Sequence, residues 1–223
     1  MATHAHKIMT TRARRKEITR ERILDAALAL LGEGRSLDSL GLREVARTAG
    51  LAPTSLYNHF PDMEALGLAL VDRACFRLRT RMREGRRELM ASDAEQAIRG
   101  MVERFVAWLG DHETEFRLLV LQRLGASPRY RRRIQGEMEL LVEELAADVG
   151  RVVDERVGLP VDVLREAEAA VAVVFGFGIL ALDASPAERQ ARLPHLETQL
   201  QMIFLGGRAL AAGARLASPA PSE

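Results

Sequence analysis

The chain has 223 residues, 48% hydrophobic and 28% charged, the balance of a soluble globular protein with room for a small domain joined to a larger one. One cysteine, Cys75, excludes an intramolecular disulfide. The longest apolar run, Ala169 to Leu182, has 14 residues where a membrane span needs about 20, and no apolar stretch opens the chain as a secretory signal would, so no membrane partner and a cytoplasmic location are expected.

The net charge of +1 is unevenly spread. Residues 1–87 carry 17 Lys and Arg against 10 Asp and Glu, a balance of +7, and residues 88–223 carry 15 against 21, a balance of −6. That places a basic, nucleic-acid-facing end on an acidic body. Val, Ile and Thr nowhere alternate with polar residues for long, so an all-α fold of about nine helices is expected.

Residues 1–15 hold Lys7, Arg12, Arg14 and Arg15 and no acid. They predict a flexible basic arm of the kind that follows a DNA backbone or enters a minor groove, with Arg14 and Arg15 as contacts. His4 and His6 lie in that arm without acidic or thiol neighbours, so no metal site is expected. The first helix is expected over about 16–31, from the stripe Ile23, Ala26, Ala27, Leu30 and Leu31.

Residues 42–60 read LREVARTAGLAPTSLYNHF. Leu42, Val45, Ala46 and Ala49 give a short amphipathic helix with Gly41 at its N-cap. Gly50 ends it, Leu51 and Ala52 make the bend, and Pro53 suits the first turn of a second helix with Leu56 and Phe60 inward. Two short helices so closely joined must cross steeply, as a helix-turn-helix does, with the second helix leading into a major groove. An ordinary helical hairpin fits the periodicity as well. In the DNA-binding reading, Pro53 opens the helix, and Thr54 and Ser55 are small enough to approach base edges. Tyr57, Asn58 and His59 face outward, with Tyr57 and His59 suited to phosphates, and Arg43 is placed to reach a phosphate from the first helix.

A helix starting after Pro61 and Asp62 should run into the 80s, its second half carrying Arg73, Arg77, Arg79, Arg81, Arg83, Arg86 and Arg87. DNA contact, an anionic ligand and a solvated face all remain open for that run. Ser92 and Glu95 form a capping box for a helix ended by Gly110 and Asp111, and a further helix takes Glu113–Leu124. Ser127 and Pro128 open a long helix to about Arg156. Arg129, Arg131, Arg132 and Arg133 crowd its start, the end of the helix dipole that disfavours cations, which calls for a partner acid or a ligand phosphate. Pro160 opens a helix that is apolar on all sides from Ala169 to Leu182. A second capping signal, Ser185-Pro186-Ala187-Glu188, marks the following turn, and a last helix spans about 193–213. The expected organisation is a basic arm (1–15), a DNA-binding domain (16–61), a helical domain (62–213) and a disordered tail (214–223).

The order of residues in REVARTAGLAPTSLYNHF resembles the DNA-binding domain of the TetR family of transcriptional regulators: the turn at Ala46, Ala49 and Gly50, the Leu56–Tyr57 pair, and His59–Phe60 before a new helix. The chain departs from the family pattern at Ala52, where a capping Ser or Thr is common, and at Met63, where a Lys is usual. These departures, with APTS and Leu66-Gly67-Leu68, resemble the FabR and DesT type repressors of unsaturated fatty acid synthesis, as do EFRLLVL (115–121) and VFGFGILALD (174–183). The resemblance implies a homodimer built as a four-helix bundle from the last two helices of each chain, a near-palindromic double-stranded operator, and a hydrophobic small-molecule effector, a long-chain acyl-CoA in the narrower group.

Candidate effector walls are Phe105, Trp108, Phe116, Leu119, Phe175 and Phe177, each of which also has a core reading. Arg129 and Arg132 are candidates for ligand phosphates. Gly176 and Gly178 admit either a ligand chain or a close helix crossing. A drug-type or other hydrophobic effector is the alternative. An acyl-CoA enzyme is a further one, but there is no G-x-S-x-G, C-x-x-C, H-E-x-x-H or glycine-rich phosphate loop, so no catalytic residues and no cofactor are expected.

Overall fold

The computed structural model describes residues 11–89, 94–156 and 161–217. Among these there are ten α-helices, a 3₁₀ turn at Leu37–Ser39 and no strand. In chain order the helices are α1 (Thr11–Gly32), α2 (Leu42–Thr48), α3 (Pro53–Tyr57), α4 (Met63–Leu89), α5 (Ala94–Asp111), α6 (Glu113–Leu124), α7 (Pro128–Arg156), α8 (Val163–Ala181), α9 (Pro186–Ala191) and α10 (Leu193–Ala217).

The chain forms two compact units, Met1–Asp72 and Arg73–Glu223, so the division falls inside α4 and not at residue 61. The physical reason is the apolar first half of α4: Leu66, Ala69, Leu70 and Val71 are buried and belong to the first unit. That unit is otherwise built on Ile23, Ala26, Ala27 and Leu30 of α1, Leu42, Val45 and Ala46 of α2, and Leu56 and Phe60, with α1 packed on α2 and α2 on α3.

In the second unit α8 packs against α7 and α10, α10 against α5, and α6 against α7. One apolar cluster gathers Met82, Phe105, Trp108, Leu109, Phe116, Val120, Ala181 and Leu182, with Phe175 and Phe177 packed on it half-buried. A second gathers Val102, Ala170, Leu193, Leu196 and Leu200.

Several expectations need correction. Residues 11–15 are the first turns of α1 and not part of a flexible arm, because helical backbone bonding extends well before the apolar stripe begins; residues 1–10, with His4 and His6, lie outside the described residues. Gly110 and Asp111 stay within α5, since one glycine lowers helix stability by only about 1 kcal/mol and packing of Trp108 and Leu109 outweighs it. The N-cap of α8 is Asp162, whose carboxylate accepts from the Arg165 amide; Pro160 and Ser92, each expected at a helix start, lie outside the described residues. Ser185–Glu188 opens a helix and not a turn: the Ser185 hydroxyl accepts from the Glu188 amide (3.3 Å) and the Glu188 carboxylate from the Ser185 amide (2.7 Å), a complete capping box. Residues 214–217, expected as disordered tail, continue α10.

Candidate nucleic-acid interface and effector region

The bend between α2 and α3 is set by backbone bonding. Gly50 has φ of +65°, its amide donates to Arg47 O (3.0 Å) and the Leu51 amide to Ala46 O (2.9 Å). This paired closure is the Schellman arrangement, and it needs a residue free of left-handed strain. The Arg22 guanidinium of α1 donates to Ala49 O at 2.8 Å, placing a cation on the carbonyl end of α2. α3 has Ala52 as an N-cap without a side-chain bond, Pro53 in its first turn, and one and a half turns of length. It is held from below by Leu56 and Phe60, which are 0% and 1% exposed, and the Arg20 guanidinium lies 4.6 Å from the Phe60 ring centroid.

With that inner face fixed, Pro53, Thr54, Tyr57 and Asn58 are exposed, and Ser55 and His59 are half-buried. Asn58 and His59 follow the end of α3 and do not belong to it. Arg43 is exposed on α2, and Arg14 and Arg15 are exposed on the first turns of α1. Burial pushes the His59 imidazole below its ordinary value, and the positive charges of Lys16 and Arg20 push the same way. At neutral pH it is therefore an uncharged donor–acceptor beside two cations. Lys16 was missed by the sequence reading, which closed the basic arm at residue 15. Once α1 is seen to run back to Thr11, Lys16 becomes an exposed cation on the His59 side.

The arginine-rich half of α4 is largely paired within the second unit. Arg77 Nη1 lies 2.5 Å from Glu115 of α6, Arg79 Nη1 3.1 Å from Glu137 of α7, and Arg83 pairs with Glu144 of α7. The arginines at the start of α7 find partners their own helix dipole does not offer. Arg131 donates to Gly125 O (2.6 Å) and Ala126 O (2.8 Å), the carbonyl end of α6, and Arg133 pairs with Glu137 at 2.7 Å. Arg129 and Arg132 are exposed.

Phe105, Trp108, Phe116 and Leu119 are at most 4% exposed. Phe116 is the hub: its ring centroid lies 6.1 Å from Phe105, 6.3 Å from Trp108 and 5.3 Å from Phe175. These candidates therefore pack on one another as core, with Phe175 and Phe177 on the less buried side. Gly178 is where the Phe116 ring meets α8: a Cβ there would stand 2.5 Å from Phe116 Cζ, whereas Gly176 has nothing within 4 Å. A groove of about 630 Å³ lies elsewhere, between the outer face of α5 (Val106, Ala107, Gly110) and the 182–193 segment (Leu182, Pro186, Leu193), with no candidate wall residue among those lining it. Among the described residues no helix is long and apolar enough to cross a membrane, and no group of His, Cys, Asp or Glu is arranged to hold a metal ion.

Comparison with known proteins agrees with this geometry. Residues 23–70 match the family model of bacterial regulatory proteins, tetR family. Over the whole fold, the chain is similar to a putative TetR-family transcriptional regulator from Mesorhizobium loti, with a TM-score of 0.69 and 20% identity over 86% of this chain and 97% of that one. It is similar to Thermus thermophilus FadR, a TetR-family repressor in complex with lauroyl-CoA, with a TM-score of 0.62 and 21% identity over 92% and 98%. It is also similar to Salmonella enterica GusR, with a TM-score of 0.67 and 23% identity over 83% and 94%. Residues 23–70 thus carry the match to the tetR family of bacterial regulatory proteins, and the chain as a whole shares the fold of these solved regulators.

Proposed function

We propose that the protein is a ligand-responsive repressor that binds a near-palindromic operator as a homodimer and responds to a long-chain acyl-CoA. The observation that carries the DNA-binding part is the exposed set Pro53, Thr54, Tyr57 and Asn58, fixed from below by buried Leu56 and Phe60. Thr54 and Ser55 approach base edges; Tyr57, His59, Arg43, Arg14 and Arg15 meet phosphates. Dimerisation uses α8 and α10, which pack together and leave Ile179, Leu180, Met202, Leu205 and Leu210 between 40% and 77% exposed. So much apolar surface on two adjacent helices matches a bundle completed by a second copy. A two-fold dimer reads half-sites about 34–36 Å apart.

The effector enters the aromatic cluster of Phe105, Trp108, Phe116, Phe175 and Phe177, with Leu119 behind it and Arg129 and Arg132 for its phosphates. The likeness to FadR, a protein solved with lauroyl-CoA, supports an acyl-CoA over other hydrophobes. Occupancy is transmitted through α4, which carries residues of both units, as a coupling free energy between two sites. The reading is that of a cytoplasmic regulator and not of an enzyme.

Tyr57→Ala and His59→Ala should each weaken operator binding on the order of ten-fold, the worth of one charge-assisted hydrogen bond. Undiminished affinity in both would reject the assigned face. A thermal-shift panel comparing lauroyl-CoA with unrelated drugs distinguishes the two effector classes, since a ligand that binds the folded state raises the midpoint.

A further inference from the structure

Trp108 is 4% exposed and lies among Phe105, Phe116, Phe175 and Phe177, and among the described residues its indole Nε1–H has no hydrogen-bond partner. Tryptophan is a donor only, and a buried indole N–H usually finds an acceptor. The side chains of that cluster offer no nitrogen or oxygen acceptor, only the weakly accepting sulfurs of Met82 and Met101. A donor left unmet in such a place is a cost of folding that an incoming acceptor removes.

The opposite side of Trp108 is tied down. Its ring stacks on His112, with centroids 5.2 Å apart and planes 32° from parallel. His112 Nδ1 lies 2.7 Å from Glu115 Oε2, and Glu115 Oε1 accepts from Arg77 of α4 at 2.5 Å. Glu115 is itself buried, at 5% exposure, so both of its oxygens are spent. The indole is thus held at one end of an unbroken line of contacts that reaches α4.

We infer that the Trp108 indole N–H is the polar anchor of the effector site and donates to a carbonyl oxygen at the head of an otherwise apolar chain. This rests on the effector reading above and narrows it: the ligand must carry a buried acceptor, which an acyl thioester has and a simple alkyl chain lacks. Entry displaces the half-buried Phe175 and Phe177, the movable side of the cluster, while the polarisable Met82 and Met101 adapt to the chain. The thioester carbonyl then meets the N–H, and any turn of the indole presses on His112 and, through Glu115, on Arg77.

The test compares lauroyl-CoA with S-dodecyl-CoA, the thioether that keeps the chain and the nucleotide but has no carbonyl. Binding to the full-length wild-type protein is measured by calorimetry. Lauroyl-CoA should bind at least about ten-fold more tightly, and Trp108→Phe, which keeps the aromatic bulk, should bind the two ligands equally. Trp108 is the sole tryptophan, so its emission reports on the site without any variant. It should move to longer wavelength with the thioester and stay in place with the thioether. Equal wild-type affinity for both ligands, or discrimination that survives in Trp108→Phe, overturns the anchor while leaving an acyl-CoA effector standing. Binding of neither ligand overturns the acyl-CoA reading and the anchor with it.

Discussion

Arg22, in the middle of α1, donates to the main-chain carbonyl of Ala49, the C-cap residue that follows α2. This 2.8 Å bond fixes the end of α2 from outside the helix, next to the glycine that turns the chain toward α3. Gly50→Ala should therefore cost about 1–2 kcal/mol, the price of left-handed backbone for a residue with a Cβ. The cost is conformational and not steric, because a Cβ at Gly50 would meet only the flexible Arg22 Nη2, at 3.6 Å. Urea midpoints for Gly50→Ala and Arg22→Met would show it. Wild-type stability in Gly50→Ala would mean that the bend tolerates a right-handed alternative.

His59 links charge to binding. Its imidazole is held below the ordinary value near 6.5, first by burial and then by Lys16 and Arg20. The unfolded chain takes up this proton at about its ordinary value and the folded chain only lower, so the stability contributed by the neutral ring is present above that value and lost as pH falls beneath it. A phosphate beside His59 would favour the protonated ring. Operator affinity should rise as pH drops below 6.5, and His59→Gln should flatten that rise. Lys16→Gln should raise the His59 titration only part of the way, since burial is the larger cause, and should lower the salt slope of binding by about one. An NMR titration and binding at three salt concentrations check both.

The helix-turn-helix was legible because its information is local. Gly50, Pro53 and the inward spacing of Leu56 and Phe60 each act within a few residues, and the structure follows them closely. The pairings of Arg77, Arg83 and Arg131 were not legible, because their partners lie outside their own helices, whereas Arg133 pairs one turn along α7 with Glu137. Arg131 looks misplaced at the start of α7 until the end of α6 is seen to lie against it. For Arg77 and Arg83, DNA contact, an anionic ligand and a solvated face all stay open until Glu115 and Glu144, 38 and 61 residues away, supply the counter-charges. The aromatic residues were read as core or as effector wall, and periodicity carries nothing that would choose between the two. The capping signal at Ser185 was legible, but the helix it opens has only six residues, too few for a periodic stripe to show.

Gly178 and Gly136 both lie inside helices, and their environments predict opposite outcomes. A Cβ at Gly178 would stand 2.5 Å from Phe116 Cζ and 3.0 Å from Phe105 Cζ, rings that are themselves buried and packed. Gly178→Ala should cost about 1–3 kcal/mol through overpacking. Gly136 of α7 has nothing within 4 Å of that position, so Gly136→Ala should stabilise by up to about 1 kcal/mol through helix propensity alone. Thermal melts of the two variants in parallel make each the control of the other. A stabilising Gly178→Ala would mean that the aromatic cluster yields easily.

The exposed apolar positions of α10 give a test of assembly that spares the fold. Leu205 and Met202 are 60% and 67% exposed, so charge placed there disturbs little within one chain. Leu205→Glu with Met202→Glu should convert the proposed dimer to monomers, measured by sedimentation, with helix content unchanged. Operator binding should fall by well over ten-fold, because a single half-site loses the effective concentration that linkage to its twin provides. A double variant that stays dimeric would move the subunit contact to another face.

Glu166 of α8 lies against Gly207 of α10, so close that a Cβ at Gly207 would overlap Glu166 Oε1 and stand 2.7 Å from its Cδ. The carboxyl is 6% exposed, and among the described residues Oε1 has no hydrogen-bond partner. Burial pushes its titration above the ordinary 4.5, with the charge of Arg208 opposing and that of Asp162 adding to the rise. The folded chain therefore keeps a proton that the unfolded chain releases near 4.5. The associated stability is fully present below that value and is lost as pH climbs through the raised folded one. Glu166→Gln keeps the shape and removes the titration, so it should be more stable than wild type at pH 8 and nearly equal at pH 4.5. Gly207→Ala should destabilise by forcing the side chain out of its place, and the loss should largely vanish when Glu166→Ala is made in the same chain. Urea midpoints at the two pH values and the double-mutant cycle measure these effects separately. Parallel pH profiles for wild type and Glu166→Gln would show that Glu166 reaches solvent or a counter-charge in the folded protein.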